Sequence, residues 1–272
     1  MPKIQMQDSR GSVRIASLIQ LFFMFCMRSR FWGPNKVIRW VGCFLLLWLG
    51  VATVNAESAG HQTNDIEGWR VLVNVQLLNK ESEATATALR LLRQQLQEII
   101  RVIPGPALAK LRKVTLWFSP EYPQVKPRAE YHPGAEWLRE NGRDVRMVKG
   151  VEFTDIKNFE AETKRMPNFT LHELAHAYHD IVLRQGFENQ EIKTAFMKAK
   201  TSGTYDRVDR WNGTGRANTM ERAYALTNPM EYFAESTEAF FSRNDFFPFN
   251  RSELHSHDPT MEVLLERLWR ED

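Results

Sequence analysis

The chain has 272 residues, 43% of them hydrophobic and 25% charged, an ordinary globular composition with enough length to bury a sizeable core in one or two domains. Its formal net charge is +3, but the first 56 residues hold Lys3, Arg10, Arg14, Arg28, Arg30, Lys36 and Arg39 against the single acid Asp8. The remainder is slightly acidic, which excludes a basic nucleic-acid footprint, and no internal repeat or low-complexity tract is visible.

Lys36 and Arg39 precede an apolar run from Trp40 to Val54, and Val54-Asn55-Ala56 sets small residues at the −3 and −1 positions that signal peptidase favours. Residues 1–56 read as a secretory signal removed before Glu57, leaving residues 57–272 as one domain, secreted or periplasmic. The run falls short of the roughly 20 residues of a membrane span, so an uncleaved anchor is the alternative and no stable span is expected after cleavage. The long segment before it, with its own apolar patch Leu18 to Met27, suggests a translation start at Met27. Both cysteines, Cys26 and Cys43, lie in this leader. The exported domain then has no disulfides and no thiolate ligands, and His and carboxylate are the metal ligands left to it.

Along the body, residues 57–67 are polar and small, an expected flexible lead-in, and Trp69 to Leu78 reads as a first strand. Leu89, Leu92, Leu96, Ile99, Ile100 and Ile103 follow helical spacing until Pro104-Gly105-Pro106 stops them. Val114 to Phe118 is a second strand, Ala129 to His132 a short segment on a sheet edge, and Val151 to Thr154 a further strand. A helix is expected from about Pro167 to Gln185, ended by Gly186, and another over Gln190 to Ala199. Residues 201–220 read as a loop or loose hairpin turning at Asn212-Gly213. Asn228-Pro229-Met230-Glu231 starts a last helix, with Asn228 as N-cap and Pro229 in its first position. A small sheet beside a helical half is an α+β layout.

The second of these helices carries His172-Glu173-Leu174-Ala175-His176. Two histidines four residues apart stack on one helix face and can converge on one Zn²⁺, with the glutamate beside the metal's open position. A structural reading competes: Thr170 and Glu173 fit a capping box, and both histidines fit a half-buried core. His179 lies on the same face, but about 10.5 Å along the axis from His172, out of reach of an ion held by the first pair. It is expected at the surface or behind a ligand, with Asp180. A helical glutamate downstream would complete the ligand set, and Glu231 and Glu235 sit one turn apart, although as a capping residue and solvated charges they, with Glu238, have an ordinary explanation too.

The segment Tyr224-Ala-Leu-Thr-Asn-Pro-Met-Glu-Tyr-Phe-Ala-Glu235, together with His-Glu-x-x-His-Ala, resembles the catalytic core of anthrax lethal-factor-type zinc metallopeptidases, which are gluzincins. The resemblance covers about residues 165–242 and gives no support to residues 57–130. It implies a zincin-like fold with a small mixed sheet packed on an active-site helix. It also implies that His172, His176 and Glu231 bind one Zn²⁺, that Glu173 is the general base for a metal-activated water, that Tyr224 donates to the oxyanion, and that Glu235 hydrogen-bonds a ligand histidine from behind. Ala175 replaces the family's glycine, and Pro229 and Met230 fill its variable pair. Neither departure removes a ligand.

Tyr131 and His132 on the expected edge strand are candidates for substrate contact, against a reading in which Tyr131 packs and His132 caps the edge. Trp137, Trp211, Phe240, Phe241, Phe246, Phe247 and Phe249 are expected in the core, and His255 and His257 in an exposed loop. The function these residues point to is an exported, monomeric zinc metallopeptidase acting on peptides or proteins. The alternatives are a catalytically silent binding module of the same fold and a hydrolase of non-protein amides such as cell-wall peptide links.

Overall fold

A computed structural model describes residues 60–270, and the expected signal segment at 1–56 lies outside the described residues. The stretch expected to be a loose lead-in is instead a strand for most of its length. β1 (His61–Ile66) turns at Glu67 and Gly68, both at positive φ, and returns antiparallel as β2 (Trp69–Asn74). Two turn residues at positive φ twist in the same sense as the strands they join, so the hairpin closes tightly. The run expected to stay extended to Leu78 ends at Asn74. Its side chain accepts from Gln76 N at 2.9 Å and starts α1 (Val75–Lys80).

α2 (Ser82–Val102) keeps the expected periodicity and buries Ala88, Leu92, Leu96 and Ile99. Pro104-Gly105-Pro106 ends it and at once opens α3 (Gly105–Leu111), because proline in a first turn lacks only an N–H that would have had no helical partner. β3 (Leu116–Phe118), β4 (Ala129–Tyr131), α4 (Ala135–Glu140), β5 (Val151–Phe153) and α5 (Phe159–Arg165) follow. The remaining elements are α6 (Phe169–Ile181), α7 (Gln190–Ser202), the hairpin β6 (Val208–Arg210) and β7 (Thr219–Glu221), α8 (Pro229–Phe241), α9 (Arg251–His257) and α10 (Pro259–Leu268). The fold is α+β, as expected.

The main sheet runs β1-β2-β3-β5-β4, with β2, β3 and β5 parallel and the two edge strands antiparallel to their neighbours. Strand alternation divides its side chains between two layers. Val71, Val73, Leu116, Phe118, Val151, Phe153 and Tyr131 belong to the main core with α2 and α6, whereas Leu72 and Trp117 pack with Leu138 and Met147 in a small second cluster. β4 is left at the edge, alongside α6. In the helical half, Tyr178 of α6 stacks on Trp269 at 4.0 Å between ring centres, and Trp269 donates to Thr237 Oγ1 at 3.3 Å. Phe240 and Phe246 are buried as expected, while Trp137 is 39% exposed, and His255 and His257 lie in α9 instead of a loop. Among the described residues no helix is long and apolar enough to cross a membrane.

The start of α6 fixes everything that follows it. Its first turn is buried, so its free N–H groups need protein partners. The cap is Asn168, not Thr170: Asn168 Oδ1 accepts from Leu171 N at 3.1 Å, and its amide donates to Gln95 O of α2 at 3.2 Å. Gln95 Oε1 accepts from Thr170 N at 3.0 Å, so two side chains from two helices satisfy one helix end. Replacing Asn168 by Ala leaves buried N–H and C=O groups without partners and is expected to cost about 2 kcal/mol, read as a lower urea midpoint at unchanged slope.

Candidate metal centre

With its start fixed, α6 presents His172 and His176 on one face, one turn apart, toward α8. Their Nε2 atoms are 3.1 Å apart, and both rings are largely buried. α8 begins where the sequence places it: Asn228 Oδ1 accepts from Met230 N and Glu231 N, both at 2.9 Å, with Pro229 between. This sets Glu231 in the first turn, where the helix dipole favours a carboxylate. Its Oε2 lies 3.1 Å from His172 Nε2 and 3.3 Å from His176 Nε2.

Three ligand atoms thus form a triangle with sides of 3.1 to 3.3 Å. A tetrahedral Zn²⁺ site with bonds of 2.0 to 2.1 Å has edges of roughly 3.3 to 3.4 Å, so the donor set fits that ion in number, type and spacing. The tautomer fits as well. Glu238 Oε1 is 2.6 Å from His172 Nδ1, which therefore carries the proton in the neutral ring and leaves Nε2 with a lone pair facing His176 and Glu231. Burial pushes the charged form of His172 down, but the hydrogen-bonded carboxylates of Glu231 and Glu238 outweigh it, and the pKa is raised well above the ordinary value. For Glu231 burial pushes up, yet both histidines hold it below the usual carboxylate range. The pocket calls for positive charge, whether a proton or a metal ion supplies it.

The carboxylate that grips His172 from behind is not the expected one. Glu235 stands 3.8 Å from His172 Nδ1, beyond hydrogen-bond range, and Glu238 makes the bond. Both are buried, contrary to their reading as solvated charges. Glu231, Glu235 and Glu238 are spaced i, i+4, i+7 and share one face of α8, a pattern visible in the sequence. Beside them Asp245 pairs with Arg165 and lies 3.6 Å from Arg210 Nε. Burial raises the pKa of Glu235 well above normal, reinforced by Asp245 and Glu238, and pushes that of Glu238 up to about 7 against the pull of His172.

Glu173 is half-buried and takes no part in a capping box. Its Oε2 accepts from the backbone N–H of Tyr131 in β4 at 2.8 Å, which ties it to the sheet edge. Tyr224, in the short turn before α8, is 46% exposed, and burial followed by the charge of Glu231 raises its pKa, so the phenol stays a donor at neutral pH. Glu173, Tyr224, His172, His176 and Glu231 line one cleft of about 270 Å³ with Arg128 to Tyr131, Pro133, Phe187 and Met230.

Other candidates sit differently. The Tyr131 side chain is buried and donates from its hydroxyl to Asp180 Oδ2 at 2.7 Å, so the strand's main chain, and not this ring, faces the cleft. His132 is turned to the other face of the sheet, with Nε2 3.0 Å from Glu152 Oε2, and Arg143 donates to the same oxygen at 2.9 Å. Neither tyrosine nor histidine is placed as a substrate-contacting side chain. His179 is fully buried between Phe187 and Phe233, not at the surface, and burial pushes its pKa down to about 3, so it stays neutral. It is no member of the ligand triangle.

Comparison of the chain with protein-family models, curated proteins and solved structures gives no match. The chemistry of the site therefore rests on its own geometry. Replacing Glu238 by Gln is expected to weaken zinc binding about 10- to 100-fold, and Glu235→Gln much less, in a competition titration with a chromophoric chelator.

Proposed function

We propose that this chain is an exported zinc-dependent metallopeptidase with a zincin-like fold, and that it hydrolyses peptide bonds in the cleft between β4 and the α6–α8 seam. The observation that carries this reading is the triangle of His172, His176 and Glu231 sharing its cleft with a carboxylate and a tyrosine hydroxyl. A metal held structurally needs neither of the last two. The resemblance of the two sequence blocks to lethal-factor-type peptidases points the same way, and the apolar run before Glu57 supports export.

A bound Zn²⁺ acts as a Lewis acid that polarises a carbonyl and makes water more acidic. His172, His176 and Glu231 would hold it, with Glu238 fixing the tautomer and orientation of His172. Glu173 accepts the proton of the attacking water and passes it to the leaving amine nitrogen. Tyr224 keeps its proton and donates a hydrogen bond to the oxygen on which charge develops.

The substrate lies along β4. His132 N donates to Gly150 O and Thr154 N donates to Arg128 O, so the main-chain groups of even-numbered residues face β5. Those of Ala129 and Tyr131 face outward; Tyr131 N–H is taken by Glu173, and the Ala129 main chain and the Tyr131 carbonyl are the groups with which an extended peptide can pair as a further strand. Such main-chain pairing recognises a peptide backbone, which favours peptide over other amide substrates.

The purified domain is expected to hold one zinc per chain, to lose it on His176→Ala, and to cleave a random peptide library until chelator is added. Glu173→Gln keeps the zinc while kcat falls at least about 100-fold, and Tyr224→Phe keeps the zinc with kcat lower by roughly 100-fold. Stoichiometric zinc without cleavage of any library member would defeat the peptidase reading in favour of a silent binding module.

A further inference from the structure

The general base proposed above depends on the position of one backbone N–H, that of Tyr131, and that position has its own support. β4 is a three-residue edge strand paired on one side only. So short a strand cannot hold its height above α6 by ladder hydrogen bonds alone. Its two neighbouring residues are anchored instead on opposite faces of the sheet. His132 is held by Glu152 on the far face, at 3.0 Å. On the near face, Tyr131 donates to Asp180 Oδ2 at 2.7 Å, and the ammonium of Lys149 reaches the same oxygen at 2.5 Å.

Asp180 lies in the last turn of α6, four residues beyond His176 and seven beyond Glu173. It is fixed from both sides. Gly186, at φ +53°, packs so closely that a Cβ there would lie 2.7 Å from Asp180 O. Lys149, at φ 60°, donates its own N–H to His132 O at 2.7 Å, so the residue that neutralises Asp180 is also pinned to the end of β4. The Asp180 side chain is 14% exposed, which shields its bond to Tyr131, while Lys149 at 45% leaves the ion pair partly open to solvent.

Resting on the peptidase reading of the cleft, we infer that Asp180 is a positioning residue: through the Tyr131 hydroxyl and Lys149 it locks β4 to the helix that carries His172 and His176, so that Tyr131 N–H holds Glu173 in place. One carboxylate in α6 sets the strand, and the strand returns a single donor to another carboxylate in α6. Glu173 is otherwise a half-buried side chain with rotamer freedom, and Tyr131 N–H binds its Oε2 at 2.8 Å. A displacement of this strand by 1 Å moves the base off its proton, a misplacement that costs about 100-fold in rate where it is complete. The alternating pattern of the strand makes the lock specific. A slip by one residue would bring an even-numbered N–H to Glu173 and turn Tyr131 away from Asp180.

The test compares Tyr131→Phe, which removes only the hydroxyl, with Asp180→Ala and with the double variant, in zinc-loaded protein. Hydrogen exchange is expected to show protection of the Tyr131 amide falling about tenfold or more in each, with Leu174 to Tyr178 of α6 unchanged. On a peptide cleaved by the parent protein, kcat falls about tenfold for Tyr131→Phe at unchanged KM and zinc content, and the double variant is no worse than Asp180→Ala, because both act through one contact. Unchanged exchange at Tyr131, unchanged kcat, additive losses, or a kcat loss that tracks lost zinc or unfolding would each overturn the inference. If the parent cleaves nothing, the peptidase reading and the catalytic half of the inference fail together, while the exchange measurement still decides whether Asp180 locks the strand.

Discussion

The contact on which the molecule turns is the polar seam between α6 and α8. Two helices that pack in a core ordinarily meet through apolar side chains, and here histidines on one face meet glutamates on the other. Burying ionisable groups is costly unless each is paired and hydrogen-bonded, so such a seam survives only where geometry supplies partners. His172 has them on both sides of its ring: Glu238 at 2.6 Å from Nδ1 and Glu231 at 3.1 Å from Nε2. Around it the apolar packing is dense, with Tyr178, Phe233 and Trp269 stacked beside the seam. The hydrophobic contacts hold the helices together, and the seam dictates their phase.

The sheet contributes its edge. Natural proteins cover or shorten edge strands to prevent unwanted pairing, and β4 is both short and held on each face by charged partners. Its outward main-chain groups border a cleft instead of open surface. In the proposed function, an edge that would be a liability elsewhere serves as a template for an extended chain. The same strand supplies the N–H that holds Glu173, so in the proposed function substrate alignment and positioning of the base would both depend on one three-residue segment.

Sequence patterns reveal the parts governed by local chemistry. The spacing of His172 and His176 gives their shared face, and Asn228-Pro229 gives the start of α8 to the residue. What local patterns miss is set by distant partners. Thr170 looks like the cap of α6 until Gln95, 75 residues away, takes its N–H, leaving Asn168 as the cap. β1 carries few apolar residues, because among its six only His61 and Ile66 are buried, and its turn residue Glu67 is no usual signal for positive φ. Glu235 and Glu238 have the right periodicity, but a glutamate that grips a histidine and one that faces water leave the same mark in a sequence. Only packing against α6 tells them apart.

The charges of the seam also bear on the ion proposed for it. Four carboxyl groups, Glu231, Glu235, Glu238 and Asp245, gather near His172, with Arg165 and Arg210 placed against Asp245. The arginines neutralise the far end of this group and leave the end at Glu231 to the histidines. Without a cation there, the carboxylates of Glu231 and Glu238 favour the protonated form of His172, which has no lone pair at Nε2. On the proposed reading, His172, His176 and Glu231 would hold a divalent ion in place of that proton, and it would supply charge where the carboxylates concentrate. Binding to the folded seam and not to the open chain would then add the ion's affinity to the stability of the fold. The charge distribution that suits the seam to a cation is the same one that leaves the α6–α8 contact incomplete by itself.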